Sequence, residues 1–251
     1  MSGDRPLFGS REPMVVAARR EADETASSPQ ESLLVAMLLS AAGGFLDAYT
    51  WLAYGGVFAT AQTGNAVLVG VHAASGQWTR ALQNFLPIAA FAIGVFVASR
   101  LRARAGEPRA ALISLVVEIV LLGVVMAMPS AFPGLVVTLG ISFVAALQNS
   151  SFGKVEGWHY NSVIATGDLS QSVEALVGGM IGPRDRRAMR QARVFATICV
   201  TFLVGAGFGA MATEHVGHRA LALPAVLLLL VLSLCVAETP SRKLLTNDGA
   251  R

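Results

Sequence analysis

The fold of this chain is decided by a short interrupted segment, TAQTGNAVLVG at Thr60–Gly70. Its apolar run is broken by four consecutive residues, Gln62, Thr63, Gly64 and Asn65. A related pattern, IATGDLSQSVE at Ile164–Glu174, places Asp168 where the first segment has Asn65. A simple membrane helix would carry aliphatic residues here, so the two Thr-Gly steps predict an interrupted membrane segment in each half of the chain.

The composition is that of an integral membrane protein. Of the 251 residues, 54% are hydrophobic and only 14% are charged, whereas a soluble domain carries about 25% charged residues. The mean hydropathy of +0.58 points the same way, and it argues against a soluble enzyme or a nucleic-acid-binding protein despite the basic pI of about 9.2. The lipid bilayer is therefore the first predicted partner.

Six stretches are long and apolar enough to cross a bilayer, which takes about 20 residues. They are Ser32–Tyr54, Ala81–Ser99, Ala110–Met128, Phe132–Gln148, Arg193–Thr213 and Arg219–Val236. Two further stretches, Val57–Ala74 and Ser162–Ile181, are apolar but contain the Thr-Gly steps. An Asp at the centre of a span costs about 2.5–3.5 kcal/mol on insertion scales, so the second of these, with Asp168 and Glu174, is a poor crossing helix.

The placement of basic residues predicts which segments cross. They cluster in the N-terminal tail, in two loops and in the C-terminal tail, at Arg5, Arg11, Arg19 and Arg20, at Arg100, Arg102, Arg104 and Arg109, at Arg184, Arg186, Arg187, Arg190 and Arg193, and at Arg242, Lys243 and Arg251. Positive loops stay in the cytoplasm. Six crossings put all four clusters there, with both termini cytoplasmic, whereas eight would leave one loop outside. The two Thr-Gly segments are then expected to enter the membrane and return; full crossing by broken helices remains the alternative.

The two ends of the chain are predicted to be tails. Residues 1–31 are polar and mixed in charge, without the early apolar core of a secretory signal, and predict a disordered cytoplasmic tail. Residues 237–251 are expected to form a cytoplasmic C-terminal tail. The transmembrane domain is thus assigned to residues 32–236.

The order of features within this domain predicts an internal repeat of residues 32–128 and 132–236. In each unit a polar end of an apolar helix precedes the Thr-Gly step, and a glycine-containing helix and a last apolar span follow it. Three crossings per unit would invert the second unit relative to the first, which is a common plan among transporters. The predicted fold class is all-α: a polytopic helical membrane protein of two three-helix repeats, each with an interrupted Thr-Gly segment.

Two longer stretches, GGFLDAYTWLAYGGVFATAQTGN and ALQNSSFGKVEGWHYNSVIATGDL, carry a family resemblance. They resemble the YoaK-like family of bacterial membrane proteins, a domain of unknown function, in four ordered steps. These steps fall on Gly44/Asp47/Ala48, Thr63/Gly64/Asn65, Gln148/Asn149 and Thr166/Gly167/Leu169. The resemblance covers nearly all of residues 32–236. It implies a multi-spanning protein of the bacterial inner membrane and no particular activity.

The polar residues of these steps are candidates for a substrate site. They are Asp47, Thr63, Gly64, Asn65, Gln148, Asn149, Thr166, Gly167 and Asp168. Glycine is expected to break each helix, Asn65 and Asp168 to bond freed backbone groups or cap the following helix, and Gln148 and Asn149 to reach across to the breaks. A helix N-terminus inside the membrane would suit an anionic group. The alternatives are close helix packing through small residues and, for Asp47, a place in an aromatic belt at the helix end.

Glu118 is the most deeply placed acid, in the middle of ALISLVVEIVLLGVVMAM. Its charge must be paired, hydrated or neutralised by protonation. A proton-coupling role is the functional hypothesis, and a protonated acid bonded to a neighbouring helix is the alternative.

No cofactor or metal site is predicted. The histidines are scattered near segment ends, at His72, His159, His215 and His218, and Cys199 and Cys235 lie in apolar runs without a CxxC pair. Phosphate-binding and hydrolase motifs are missing from the sequence.

The leading functional hypothesis is a transporter or exporter of an unknown small solute, bound between the two Thr-Gly segments, with Asp47, Glu118 or Asp168 coupling transport to protons. A membrane scaffold or regulator remains open, and so, with less support, does a membrane enzyme. A homo-oligomer fits each of these hypotheses.

Overall fold

A computed structural model describes residues 29–128, 132–160, 165–181 and 186–237. The predicted tails, up to residue 28 and from residue 238, lie outside these ranges. The architecture is helical, and the helices are α1 Leu33–Ala53, α2 Gln62–Ala74, α3 Trp78–Ala105, α4 Glu107–Ala127, α5 Gly134–Ser151, α6 Ala165–Ile181, α7 Arg186–Val216 and α8 Ala222–Ala237. Short 3₁₀ turns lie at Pro29–Glu31 and Gly217–Leu221, and antiparallel strands β1 (Lys154–Val155) and β2 (Trp158–His159) form a hairpin after α5.

Five helical ranges are long and apolar enough to cross a membrane, and the last of them is Arg186–Ala237 with 52 residues. As one straight helix that range would be about 78 Å long, more than twice the roughly 30 Å of a bilayer core. It instead turns at Gly217, whose φ of +58° lies in the left-handed region, and α7 and α8 both pack against α1. All six predicted apolar stretches are therefore helical.

Glycines allow helices α1 and α7 to pack with their backbones in close contact. A Cβ on Gly205 would collide with the Ala41 carbonyl, and one on Gly209 would lie 2.6 Å from the Phe45 carbonyl oxygen. Gly44 meets the Phe202 carbonyl in the same way. Close backbone approach through small residues is the usual route to tight packing between membrane helices. Gly205 meets Ala41 and, four residues further along both helices, Gly209 meets Phe45, so α1 and α7 run parallel.

The helices α3 and α5 form a second parallel pair. Gly94 of α3 abuts Phe143 and Ala146 of α5, and two turns further on the Arg102 guanidinium donates to the Ser150 carbonyl at 2.7 Å. Small size at residue 94 again allows the close approach.

The helices α1 and α5 run antiparallel. Tyr54, just after α1, packs against Gly134 at the start of α5. At the other end, the Glu156 N–H after α5 donates to the Glu31 carbonyl before α1 at 2.8 Å. We call the end where α1 finishes the top and the opposite end the bottom.

These directions determine the course of the two shorter helices. Helix α1 finishes at the top, and α3, which runs parallel to α5, starts there. Helix α5 finishes at the bottom, and α7, which runs parallel to α1, starts there. The segment between α1 and α3 and the segment between α5 and α7 therefore each begin and end at the same end of the bundle. Entry of these segments into the membrane stays a prediction.

The main core lies between α1, α4, α5 and α8, around fully buried residues such as Leu39, Leu115, Ile141 and Leu228. The outer surface is apolar as well: Leu203 of α7 is 71% exposed and Val67 of α2 is 62% exposed. Apolar side chains exposed along many helices would be unfavourable in water and suit contact with lipid.

Candidate functional site

Asp47 holds the loop that leads into α2. It is 5% exposed and lies about 9 Å short of the end of α1 at 1.5 Å per residue. Its Oδ1 accepts hydrogen bonds from the backbone N–H of Thr60 at 2.7 Å and of Ala61 at 3.4 Å, and its Oδ2 accepts one from the Thr60 hydroxyl at 2.7 Å. The loop after α1 is therefore drawn down from the top to the depth of Asp47, where α2 begins.

Asn65 closes the same loop from the other side. Its Oδ1 accepts from the Phe58 N–H at 2.9 Å, and its Nδ2 donates to the Phe58 carbonyl at 2.6 Å and to Gln62 Oε1 at 2.9 Å. The amide thus satisfies both backbone groups of Phe58, as a neighbouring strand would. The prediction that Asn65 bonds freed backbone groups is confirmed.

Two details of the predicted Thr-Gly step are wrong. The N-cap position of α2 is Ala61, with no side-chain cap, and Asn65 lies within the first turn. Helical backbone also runs through Gly64, and through Gly167 in α6, so the steps follow the interruptions and do not form them. Gly64 is needed for another reason: a Cβ there would lie 2.9 Å from the Phe58 ring, which stacks on Trp51.

Two of the aromatic residues near Asp47 pack against each other at the core, whereas Trp51 is 40% exposed. Tyr49 is 1% exposed, and its hydroxyl is bonded to that of Tyr54 at 3.0 Å. The two rings meet edge to face. They close the top of the core next to Gly134.

The second Thr-Gly step lies in the first turn of α6. Asp168 is buried, whereas Thr166 and Gly167 are exposed. One turn later the Ser172 hydroxyl donates to the Ala192 carbonyl of α7 at 3.0 Å. Helix α6 packs on α7, and α2 packs on α3, so each Thr-Gly helix is held mainly by its own long helix.

Gln148 and Asn149 lie at the end of α5. Gln148 is buried, and its Nε2 and the Asn149 Oδ1 have no hydrogen-bond partner within the described ranges. Residues 161–164, just before the second step, are outside those ranges. The predicted bonds from this pair to the Thr-Gly steps therefore stay a prediction.

Glu118 lies in the middle of the buried face of α4. Residues at helical spacing on this face, Ala111, Leu115, Leu122 and Val125, all belong to the main core. Glu118 is 0% exposed, and neither carboxylate oxygen has a partner in the part of the chain that the structure describes. A buried carboxyl group without a partner is energetically costly, which is why such groups in membrane helices are functional candidates. This carboxyl group is the deepest candidate for binding a cation or a proton.

Two serines are also buried without a hydrogen-bond partner for the hydroxyl group. Ser40 of α1 and Ser142 of α5 are both fully buried, and neither hydroxyl has a partner among the described residues. Serine in a helix usually bonds the carbonyl one turn earlier, as Ser114 does to Ala110. These two serines could not be singled out from the sequence, because isolated serines are common in membrane helices.

A cavity of about 430 Å³ opens at the top, between the ends of α1, α4, α5 and α7. Tyr49, Tyr54 and Phe132 supply aromatic walls, and Val125 of α4 lies in its lining. Its ionisable residues are Glu214 and His218. We call it the top cavity; its volume is within the range of small-molecule sites.

A second cavity, of about 230 Å³, opens at the bottom beside the hairpin and the end of α5. Its lining includes Ser151, whose hydroxyl is bonded to Ser114 of α4 at 3.0 Å. The charged lining residues are Glu31, Arg102, Glu107 and Lys154. Neither this bottom cavity nor the top cavity is lined by a Thr-Gly step.

No cluster of three or more His, Cys, Asp or Glu side chains that could hold a metal ion occurs within the described ranges.

Five helical ranges long and apolar enough to cross a membrane, with polar groups buried between the helices, indicate a helical membrane protein. The chain belongs to the family described as "Protein of unknown function (DUF1275)", whose model matches residues 35–234. The match covers all four motif steps on which the sequence resemblance rested, so membership in an uncharacterised family is confirmed. Neither the curated proteins nor the solved structures yield a match to this chain.

Proposed function

We propose that this protein is a small-solute transporter of the bacterial inner membrane, built from two inverted repeats, α1–α4 and α5–α8, with Glu118 coupling transport to protons. The observation that carries the proposal is the agreement between the buried faces of the two antiparallel halves. The YoaK-like resemblance supports the bacterial membrane location.

The helices α1 and α5 agree most fully. From Leu34 to Leu46 and from Val136 to Gln148, the order of exposed, partly buried and buried residues is the same at every position. This register places Asp47 opposite Asn149 in the comparison, and the two unpartnered serines, Ser40 and Ser142, also correspond.

The other helices agree in the same way. Five buried positions recur at identical spacing in α3 and α7: Ala81, Asn84, Pro87, Gly94 and Ala98, and Ala192, Phe195, Ile198, Gly205 and Gly209. Six recur in α4 and the Gly217–Ala237 range: Ala110, Ala111, Ser114, Leu115, Glu118 and Val125, and Ala220, Leu221, Pro224, Ala225, Leu228 and Cys235. Glu118 thus corresponds to Leu228, which makes it an acid that one half has and the other lacks.

The helix pairs that pack together are also equivalent in the two halves. The α1–α7 pair corresponds to α5–α3, α2–α3 to α6–α7, and α4–α5 to α8–α1, while α4–α8 corresponds to itself. Because α1 and α5 are antiparallel, the relation is an inversion, and each half contributes three crossings and one returning helix. Inverted repeats around a central site allow the two ends to open in turn.

Basic residues support the orientation. The α3–α4 junction with Arg102 and Arg104 lies at the bottom, together with the start of α7, which carries Arg187 and Arg190. Because positive segments stay inside, the bottom is the cytoplasmic side. In this orientation Asp47 and Asn65 hold the first returning segment in the membrane, and Asp168 corresponds to Asn65 in the second.

A second candidate function, a membrane scaffold or regulator, is favoured by one observation. Every bond described for Asp47 and Asn65 goes to their own loop or helix. Side chains occupied in this way stabilise the fold without a solute. Glu118 and the two cavities favour transport, because a scaffold has no need of an unpaired buried acid.

The test is solute uptake by the purified protein in proteoliposomes, with and without a pH gradient. We expect a gradient-driven flux that Glu118→Gln uncouples, whereas Val120→Ala, on the exposed face of the same helix, leaves it unchanged. Flux that is unaltered in Glu118→Gln combined with Asn65→Ala would remove both residues from the mechanism. A folded protein that moves none of a broad solute panel would favour the scaffold.

A further inference from the structure

We infer that the top cavity, Glu118 and the bottom cavity lie along one route through the molecule, and that this route takes a small organic cation such as a quaternary ammonium. The inference rests on the proposed function and names its path and substrate class. It places the route between α1, α4, α5 and α8 and away from the Thr-Gly segments.

The two cavities occupy equivalent places in the two halves. In the register that relates α1 to α5, Tyr49 of the top cavity corresponds to Ser151 of the bottom cavity. In the register that relates α3 to α7, Thr213 at the top corresponds to Arg102 at the bottom. A pair of cavities related by the inversion is what a carrier needs if each end is to open in turn.

Glu118 lies between the cavities on α4. Val125, in the top cavity, is seven residues beyond Glu118 on the same face, about 10 Å along the helix. In the other direction, Ser114 is one turn away, about 6 Å, and bonds Ser151 of the bottom cavity. Leu122 above and Leu115 below are both 0% exposed. They separate Glu118 from both cavities, so in this structure the acid is accessible from neither end.

The lining of the top cavity indicates the charge of the solute. Three aromatic residues and Glu214 line the space together with His218, and none of the lining residues that the structure describes is Lys or Arg. Aromatic faces and carboxylates together are the usual environment of ammonium groups. Arg219 is adjacent in sequence to the lining residue His218 but does not line the cavity.

The central acid suits the same solute. Both Glu118 oxygens are without a partner in the described chain, so the carboxylate can balance one positive charge, either a proton or an ammonium. When the cation arrives, Glu118 gives its proton to water of the open cavity, and the exchange of one cation for one proton is electroneutral. At the bottom, Glu31 and Glu107 provide acidic groups on the exit side, in a lining that also contains Lys154 and Arg102, the latter bound to the Ser150 carbonyl.

The test uses the full chain in right-side-out and in inside-out membrane vesicles, with Cys199→Ser and Cys235→Ala as background. We expect Val125→Cys to react with a small impermeant methanethiosulfonate from the outside, and Ser151→Cys from the inside only. Val120→Cys, on the lipid-facing side of α4, is the matched control and should stay unreactive. Met128→Cys, at the mouth of the top cavity, replaces Val125→Cys if that variant does not fold.

Protection identifies the solute class. Choline should slow the labelling of Val125→Cys about tenfold, as expected for a cation held by aromatic rings and a carboxylate, and its uncharged analogue 3,3-dimethylbutanol should not. Glu214→Gln should remove most of the protection. Equal protection by both compounds, or labelling of Val125→Cys no faster than that of Val120→Cys, overturns the inference. Protection by choline without any choline flux would uphold the cation site and refute the transporter, so the two proposals fail separately.

Discussion

Replacement of Asp47 should show how much one carboxylate contributes to the stability of the segment that returns after α1. In Asp47→Ala, the Thr60 N–H, the Thr60 hydroxyl and the Ala61 N–H all lose their acceptor. Thr60 is 1% exposed, so water cannot easily take the place of the carboxylate. Asp47→Asn keeps one acceptor oxygen for the two N–H groups and presents an NH₂ group to the Thr60 hydroxyl, which can turn to accept from it.

The magnitude follows from these bonds. A hydrogen bond to a charged group contributes about 1.5–3 kcal/mol, and each orphaned buried donor adds a cost of its own. Two of the three bonds are short, at 2.7 Å, and the third is weak at 3.4 Å. We expect Asp47→Ala to lower the free energy of unfolding by about 3–5 kcal/mol and Asp47→Asn by about 1–2 kcal/mol.

The assay is reversible unfolding of the purified protein in mixed detergent micelles, followed by circular dichroism. Thr60→Ser, which keeps the hydroxyl and the backbone donor, is the control and should lie close to wild type. A loss below about 1 kcal/mol in Asp47→Ala, the typical contribution of a single neutral hydrogen bond, would refute the role given to Asp47. Equal losses of stability in Asp47→Ala and Asp47→Asn would show that the acceptor oxygen kept by Asn contributes nothing to the stability of the loop.

Three further predictions concern packing, the central acid and the loop. Gly205→Ala should destabilise the protein by about 1–3 kcal/mol through overpacking, because its Cβ meets the Ala41 backbone, whereas Gly207→Ala, which meets open space, should be neutral or slightly stabilising in the same unfolding assay. Glu118→Leu should raise the stability by about 1–3 kcal/mol, since a buried polar group without a partner is removed, and should abolish proton-driven flux; a lower stability would show that Glu118 has a partner. Asn65→Leu should lower stability by about 2–4 kcal/mol, because both backbone groups of Phe58 are left unpaired, and proteolysis between α1 and α2 should become faster.

The helices could be predicted from the sequence because their signal is local. Each of the six apolar stretches is helical, and apolar character over about 20 residues can be read from the sequence alone. The return of the Thr-Gly segments within the membrane, expected from arginine placement, stays a prediction. The burial of Glu118 was also predictable, since an acid in the middle of an apolar membrane helix almost always faces the interior of the bundle.

The details of the site were not predictable because they join distant residues. Asp47 looked like an isolated acid, and its partner Thr60 is brought to it only when the chain folds back after α1. Gly64 was predicted to break the helix, yet it makes room for the ring of Phe58, a contact with no sequence pattern. The two cavities are lined from several helix ends at once. Only the packing of the whole bundle defines them.

The inversion of the two halves supports everything proposed about function, and the side of the membrane reached by the α2–α3 turn tests it most directly. Ala53→Cys, at the end of α1, and Ser75→Cys, just after α2, would each be introduced into the cysteine-free background and labelled in intact cells with an impermeant maleimide. The account predicts that both react from the outside, because α2 returns to the end where α1 finishes. Reaction of Ala53→Cys from outside and of Ser75→Cys only from the cytoplasmic side would show that α2 crosses, and would contradict the inverted arrangement.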